Sequence, residues 1–179
     1  MFVVARDTSF SVMAIEYPGY GMYTGTPTPD GCVRAARTVL AFIRQQSPGV
    51  PVILMGRSVG TGVAVELARQ NHTLAGLVLI SPFRSVAHVL DPVARPLRAL
   101  VDDIFPSERT IARIAIPTLV IHGARDTLVP AAHGEALFAV SPATRKHLEI
   151  LPDSTHANLD WTAIVSAINT FFTFVKHSS

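Results

Sequence analysis

With 179 residues, 49% of them hydrophobic and only 16% charged, the chain is too apolar to remain soluble and unfolded, and its length fits one compact domain. A formal net charge of +2 is carried by scattered arginines (Arg34, Arg37, Arg44, Arg57, Arg69) with no run that could follow a phosphate backbone, which excludes nucleic acid as a partner. Cys32 is the only cysteine, so neither an internal disulfide nor a thiolate metal cluster can form, and a reducing, cytoplasmic setting is expected. Met1 to Ala5 are too few for a signal-peptide core, and no apolar run reaches the ~18 residues that cross a bilayer. A pI near 9.0 leaves peripheral association with an acidic membrane open, although a mildly basic face is more often simply solvated.

Short apolar runs alternate with longer helical patterns, the form expected of a parallel sheet flanked by helices in an α/β fold. Val12 to Glu16 reads as a first strand, ended by Pro18, Gly19 and Gly21. A crossover helix follows, with Thr28 as cap, Pro29 at its first position, and Val33, Ala36, Leu40 and Ile43 at helical spacing. Val52 to Met55 is a second strand and Val59 to Arg69 a second helix; Gly76 to Ile80 and Thr118 to Ile121 are further buried strands. The irregular stretch 84–114, interrupted by Pro92, Pro96 and Pro106, predicts short broken helices in a cap-like segment. His147 to Leu151 alternates and predicts a strand near the sheet edge, and Trp161 to Phe174 predicts the last helix.

The sharpest local signal is Gly56-Arg57-Ser58-Val59-Gly60, set between a predicted strand and a predicted helix. A serine on so tight a turn is forced into an unfavourable backbone conformation, and Gly56 and Gly60 are expected to remove side chains that would clash there. The Ser58 hydroxyl then stands exposed above the sheet, with the Val59 N–H at the helix start as an oxyanion donor. Serine alone is a poor nucleophile and needs a base plus an acid that orients the base. Asp126 lies past the Thr118 to Ile121 strand and His156 past the His147 to Leu151 strand, so Ser58, Asp126 and His156 all fall at strand ends in the order this chemistry uses. Taken singly, Asp126 could be a turn former beside Pro130 and His156 a helix cap. Asp102 and Asp103 are substitute acids should Asp126 point away. His72, His88, His122, His133 and His177 read as satisfied or solvated residues, and no spacing supports a metal site or a cofactor.

These residues, together with Glu16-Tyr17-Pro18-Gly19-Tyr20-Gly21, Ser81-Pro82-Phe83 and Val120-Ile121-His122-Gly123, give a chain that resembles the α/β-hydrolase superfamily from about Ser11 onward. Within it the pattern is most similar to the small intracellular α/β-hydrolase-domain serine hydrolases, a branch that includes membrane-associated protein depalmitoylases; Asp103-Ile104-Phe105-Pro106-Ser107 stands where others have a long lid. The resemblance implies that the first strands of the fold, with the loop carrying a second oxyanion N–H, are missing here, so that 1–179 is one partial domain. It further implies either an empty lane between Val12 to Glu16 and Val52 to Met55, or a shift that pairs them, and in both cases a slow hydrolase of marginal stability.

The expected reaction is cleavage of an ester or thioester by Ser58 through an acyl-enzyme, with a small acyl compound or an acylated protein as substrate and Tyr17, Phe83 and Phe105 as acyl-pocket candidates, although aromatics at such positions are more often core. A peptidase or general carboxylesterase on the same residues, or a non-catalytic hydrolase-fold protein, is the alternative.

Overall fold

The computed structural model describes residues 10–94 and 104–176. The stretch 95–103, which includes Asp102 and Asp103, lies outside them. Four strands, β1 (Ile53–Arg57), β2 (Gly76–Ile80), β3 (Thr118–Gly123) and β4 (Lys146–Leu151), form one sheet in the order β1-β2-β3-β4, and every neighbouring pair is parallel. The helices are α1 (Pro29–Gln46), α2 (Val59–Arg69), α3 (Val86–Ala94), α4 (Ser107–Ile111), α5 (Ala132–Val140) and α6 (Trp161–Lys176).

Parallel strands need long crossovers, and the helices that make them cover both sheet faces, so β2 and β3 are buried at every position. One face packs Leu77, Leu79 and Val120 against α1, α2 and Leu137 of α5. The other packs Val78, Ile80, Leu119 and Ile121 against Ile164, Ile168 and Phe172 of α6. β4, on the outside, is only partly buried, as its alternating sequence predicts. The Thr28 hydroxyl accepts a hydrogen bond from the Gly31 N–H, which caps α1 one residue ahead of Pro29.

One expectation is corrected. Residues 12–16 form no strand and do not pair with β1. Val12 and Met13 are exposed, and only Ile15 and Tyr17 of this stretch lean on the core, so the apolar run lacks the partner strand that would satisfy its backbone. In addition, α5 was not foreseen: its apolar residues are not gathered on one stripe, Gly134 sits in its first turn, and Ala131 provides no side-chain cap. Within 84–114 the described residues include the short helices α3 and α4.

Leu119→Ala empties a fully buried position beneath α6 and should cost about 2–5 kcal/mol. Urea unfolding should show a lower midpoint at an unchanged slope; an unmoved midpoint would show that this layer does not hold the sheet together.

Candidate active site

The strand ends β1, β3 and β4 deliver three loops to one place. Ser58 joins β1 directly to α2 with φ 50 and ψ −122, a conformation that L residues avoid and that costs about 1–3 kcal/mol. Its own peptide groups are held on both sides: the Ser58 N–H donates to the Ile80 carbonyl at 2.9 Å, and the Ser58 carbonyl accepts from the Thr61 N–H at 2.9 Å and the Thr61 hydroxyl at 2.6 Å. Gly56 is required by contact, since a Cβ there would lie 2.4 Å from the Gly60 carbonyl oxygen. Gly60 is not, because its Cβ would meet only the Tyr17 hydroxyl at 3.8 Å, an ordinary contact. The expectation that Gly60 relieves a clash is therefore corrected: its backbone, not its missing side chain, is what crowds the turn.

His156 Nε2 lies 3.0 Å from Ser58 Oγ, and His156 Nδ1 lies 2.8 Å from Asp126 Oδ2. The other carboxylate oxygen, Oδ1, accepts from the Leu128 N–H at 3.1 Å and the Val129 N–H at 2.8 Å. The Asp126 side chain is fully buried, whereas that of His156 keeps 17% of its surface in solvent. Val59 sits at the first position of α2, where a backbone N–H has no intrahelical acceptor, and its side chain is half exposed. A group bonded to Ser58 Oγ would thus stand beside a helix N-terminus, which favours negative charge.

Two contacts that support this arrangement were not singled out from the sequence. Arg57, next to the serine, donates from Nη2 to the His156 carbonyl at 2.6 Å and ties the histidine loop to β1. His122, the residue before the acid loop, is fully buried against Val129 and Asp126. The acid and histidine loops are also stitched together by backbone, Arg125 N–H to the Ser154 carbonyl at 3.0 Å and Ala124 N–H to the Leu151 carbonyl at 2.9 Å. A Cβ on Gly123 would strike the Ser154 carbonyl oxygen at 2.4 Å. The exposed Arg125–Asp153 pair, at 2.7 Å, adds little to this.

The three aromatics expected as an acyl pocket differ in their surroundings. Phe83 is buried, Tyr17 packs beside the core with its hydroxyl near Gly60, and Phe105 lies against Gly62. Phe105 instead borders an open groove of about 380 Å³ between α1, α2 and α4, whose walls do not include Ser58, Asp126 or His156. Among the described residues no group of His, Cys, Asp and Glu could hold a metal ion, and no helix is long and apolar enough to cross a membrane.

Burial pushes the His122 and His133 imidazoles below the usual 6.5, in both cases against a favourable contribution from Asp126. Unfolding restores their ordinary proton affinity, so below pH 6.5 the unfolded chain binds protons that the folded chain refuses. Stability should therefore be complete above pH 6.5 and fall as the pH is lowered below it; Glu66, where burial is outweighed by Arg69 and Gln70 so that the carboxyl is held below its usual 4.5, acts only at lower pH. Thermal unfolding of the wild type and of His133→Gln should show this loss, smaller in the variant. A melting temperature that rises on acidification would contradict it.

Comparison with known proteins agrees with this fold. The family described as "Serine aminopeptidase, S33" (Hydrolase_4) matches residues 6–110, more than half of the chain. Protein Rv2307c of Mycobacterium tuberculosis is 35% identical over 178 residues, covering 96% of this chain and 63% of that protein. Human Protein ABHD12B is 31% identical over 157 residues, covering 77% of this chain and 43% of its own length. The chain thus spans less than two thirds of these relatives. Among solved structures, Est1E from Butyrivibrio proteoclasticus with ferulic acid bound superposes with a TM-score of 0.74 at 15% identity, over 91% of this chain and 76% of that one. A monoacylglycerol lipase of Paleococcus ferrophilus gives a TM-score of 0.58 at 19% identity, over 82% and 76%. At these identities the structures speak for the fold, and the family match for descent: the chain belongs to the Hydrolase_4 family of α/β-hydrolases.

Proposed function

We propose that the chain is a serine hydrolase that cleaves a carboxylic ester or thioester, with Ser58 as nucleophile, His156 as base and Asp126 as the acid that orients it. The observation that carries this reading is the continuous relay from Ser58 Oγ through His156 to the buried Asp126, at 3.0 and 2.8 Å, on a serine held at positive φ. Structural neighbours described as an esterase domain and a monoacylglycerol lipase accord with it.

Ser58 Oγ attacks the carbonyl carbon while its proton passes to His156 Nε2, and the charge that develops on the carbonyl oxygen is met by the Val59 N–H. The tetrahedral intermediate collapses with loss of the alcohol or thiol, which takes the proton from His156. Water, deprotonated by the same nitrogen, then cleaves the acyl-enzyme and regenerates Ser58. Asp126 faces the imidazole with one oxygen only, since backbone N–H groups occupy the other; this fixes the tautomer that presents a bare Nε2 to the hydroxyl.

A second reading, cleavage of an amino-terminal peptide bond, is favoured by the description of the family itself. It uses the same relay with an amine as leaving group. Protein depalmitoylation is a special case of the first reading, in which a long acyl thioester is preferred.

Ser58→Ala should abolish labelling by a fluorophosphonate without lowering the melting temperature by more than a few degrees, because the hydroxyl is not part of the core. Labelling that persists in the variant would place the nucleophile elsewhere. His156→Ala should lower turnover by orders of magnitude, and activity kept in that variant would contradict His156 as the base. p-Nitrophenyl butyrate and palmitate set beside an aminoacyl p-nitroanilide separate the readings: each buried CH₂ contributes ~0.8 kcal/mol, so a long-chain specialist would favour palmitate strongly.

A further inference from the structure

We propose that His122 is a positioning residue for Asp126: its Nε2–H, held on the Val129 carbonyl beside the Asp126 carboxylate, locks the turn that aims the carboxylate at His156. The inference rests on the relay reading above and extends it to a residue outside the relay.

His122 Nε2 lies 2.7 Å from the Val129 carbonyl oxygen. A carbonyl can only accept, so this nitrogen carries the proton. The same nitrogen lies 3.6 Å from Asp126 Oδ2, the oxygen that His156 Nδ1 approaches from the other side at 2.8 Å. His122 therefore braces the acid loop in two ways. It fixes the carbonyl of Val129, whose own N–H donates to Asp126 Oδ1, and the edge of its ring stands within 3.6 Å of Oδ2.

The ring cannot shift to another state without loss. Its Nδ1 is buried and has no hydrogen-bond partner. In the Nε2–H tautomer that atom bears a lone pair only. The Nδ1–H tautomer would instead bury a donor without an acceptor and withdraw the proton from Val129, and the cation would bury the same orphan donor. On that side the first turn of α5 presses against the ring, since a Cβ on Gly134 would come within 2.6 Å of Nδ1. The charged and titratable groups around the ring are Asp126 and His156 from the loops and His133 and Glu135 from α5. Burial outweighs the two carboxylates and keeps the imidazole neutral, so no second imidazolium competes with His156 for Asp126.

The geometry makes an atom-specific demand. In His122→Gln the amide nitrogen stands the same number of bonds from Cα as Nε2 and can donate to the Val129 carbonyl. In His122→Asn it stands at the δ position, where the ring has no partner. The expected result is that His122→Asn lowers kcat for p-nitrophenyl butyrate on the order of tenfold with KM unchanged, the scale of one buried hydrogen bond, while His122→Gln stays near wild type. The proton NMR signal of His156 Nδ1–H should shift in the Asn variant and hold in the Gln variant. Nitrogen NMR of the unmodified protein at pH 7 should find His122 protonated on Nε2 and bare on Nδ1.

A cationic or Nδ1-protonated His122 at pH 7 would overturn the proposal, as would Asn and Gln variants that behave alike. The nitrogen measurement needs no turnover and no variant that folds. If the wild-type protein showed no reactive Ser58, the hydrolase reading would fail, and the tautomer and the His156 signal would still decide the role of His122.

Discussion

The rest of the site depends on one strained turn. Between the last residue of β1 and the first of α2 the chain reverses in the single residue Ser58, at φ 50, and no side chain of Ser58 caps the helix it starts. The conformation survives because its surroundings hold it on three sides: the Ile80 carbonyl of the neighbouring strand, the Thr61 N–H and side-chain hydroxyl of the first helical turn, and the close approach of Gly56 to Gly60. Relaxing the turn would release about 1–3 kcal/mol locally but would break these bonds together and turn the hydroxyl away from His156. Strain here is the means by which a hydroxyl is projected above the edge of a parallel sheet, beside the positive end of a helix.

The two other strand ends meet that hydroxyl through a different device. The acid and histidine loops are not strained; they are laced together by backbone hydrogen bonds between Arg125 and Ser154 and between Ala124 and Leu151, in register with the pairing of Gly123 to Leu151. Sheet register thus sets the separation of Asp126 and His156, and Arg57 closes the third side by holding the His156 carbonyl. The buried Asp126 carboxylate has its Oδ1 on two backbone N–H groups, which leaves Oδ2 for the imidazole. Full satisfaction of a buried carboxylate is what makes its burial tolerable.

What was legible in the sequence follows from these physical demands. Gly56-Arg57-Ser58-Val59-Gly60 could be read because a strand-to-helix turn leaves few residue choices, and Asp126 and His156 because each follows an apolar strand at once. α1 could be read from cap, proline and periodicity, and α2 from the Ala, Val and Leu of its inner side. By contrast, Val12 to Glu16 is apolar enough to be a strand, yet a strand is defined by its neighbour, and no local pattern reports that β1 does not pair with it. α5 escaped because it lacks an apolar stripe and a cap. His122 and Arg57 escaped for another reason. One looks like an ordinary end to a buried strand and the other like a solvated arginine, and the contact from Arg57 to the His156 carbonyl spans 99 residues of chain.

The central claim is that Ser58 Oγ, His156 and the Val59 N–H act on one reacting group. A crystal structure of the chain after reaction with a fluorophosphonate tests it most directly. The account predicts phosphorus bonded to Ser58 Oγ, its phosphoryl oxygen about 2.7–3.1 Å from the Val59 nitrogen, and Ser58 still at positive φ. An adduct on any other residue, or a phosphoryl oxygen turned away from Val59 on a relaxed serine, would contradict it.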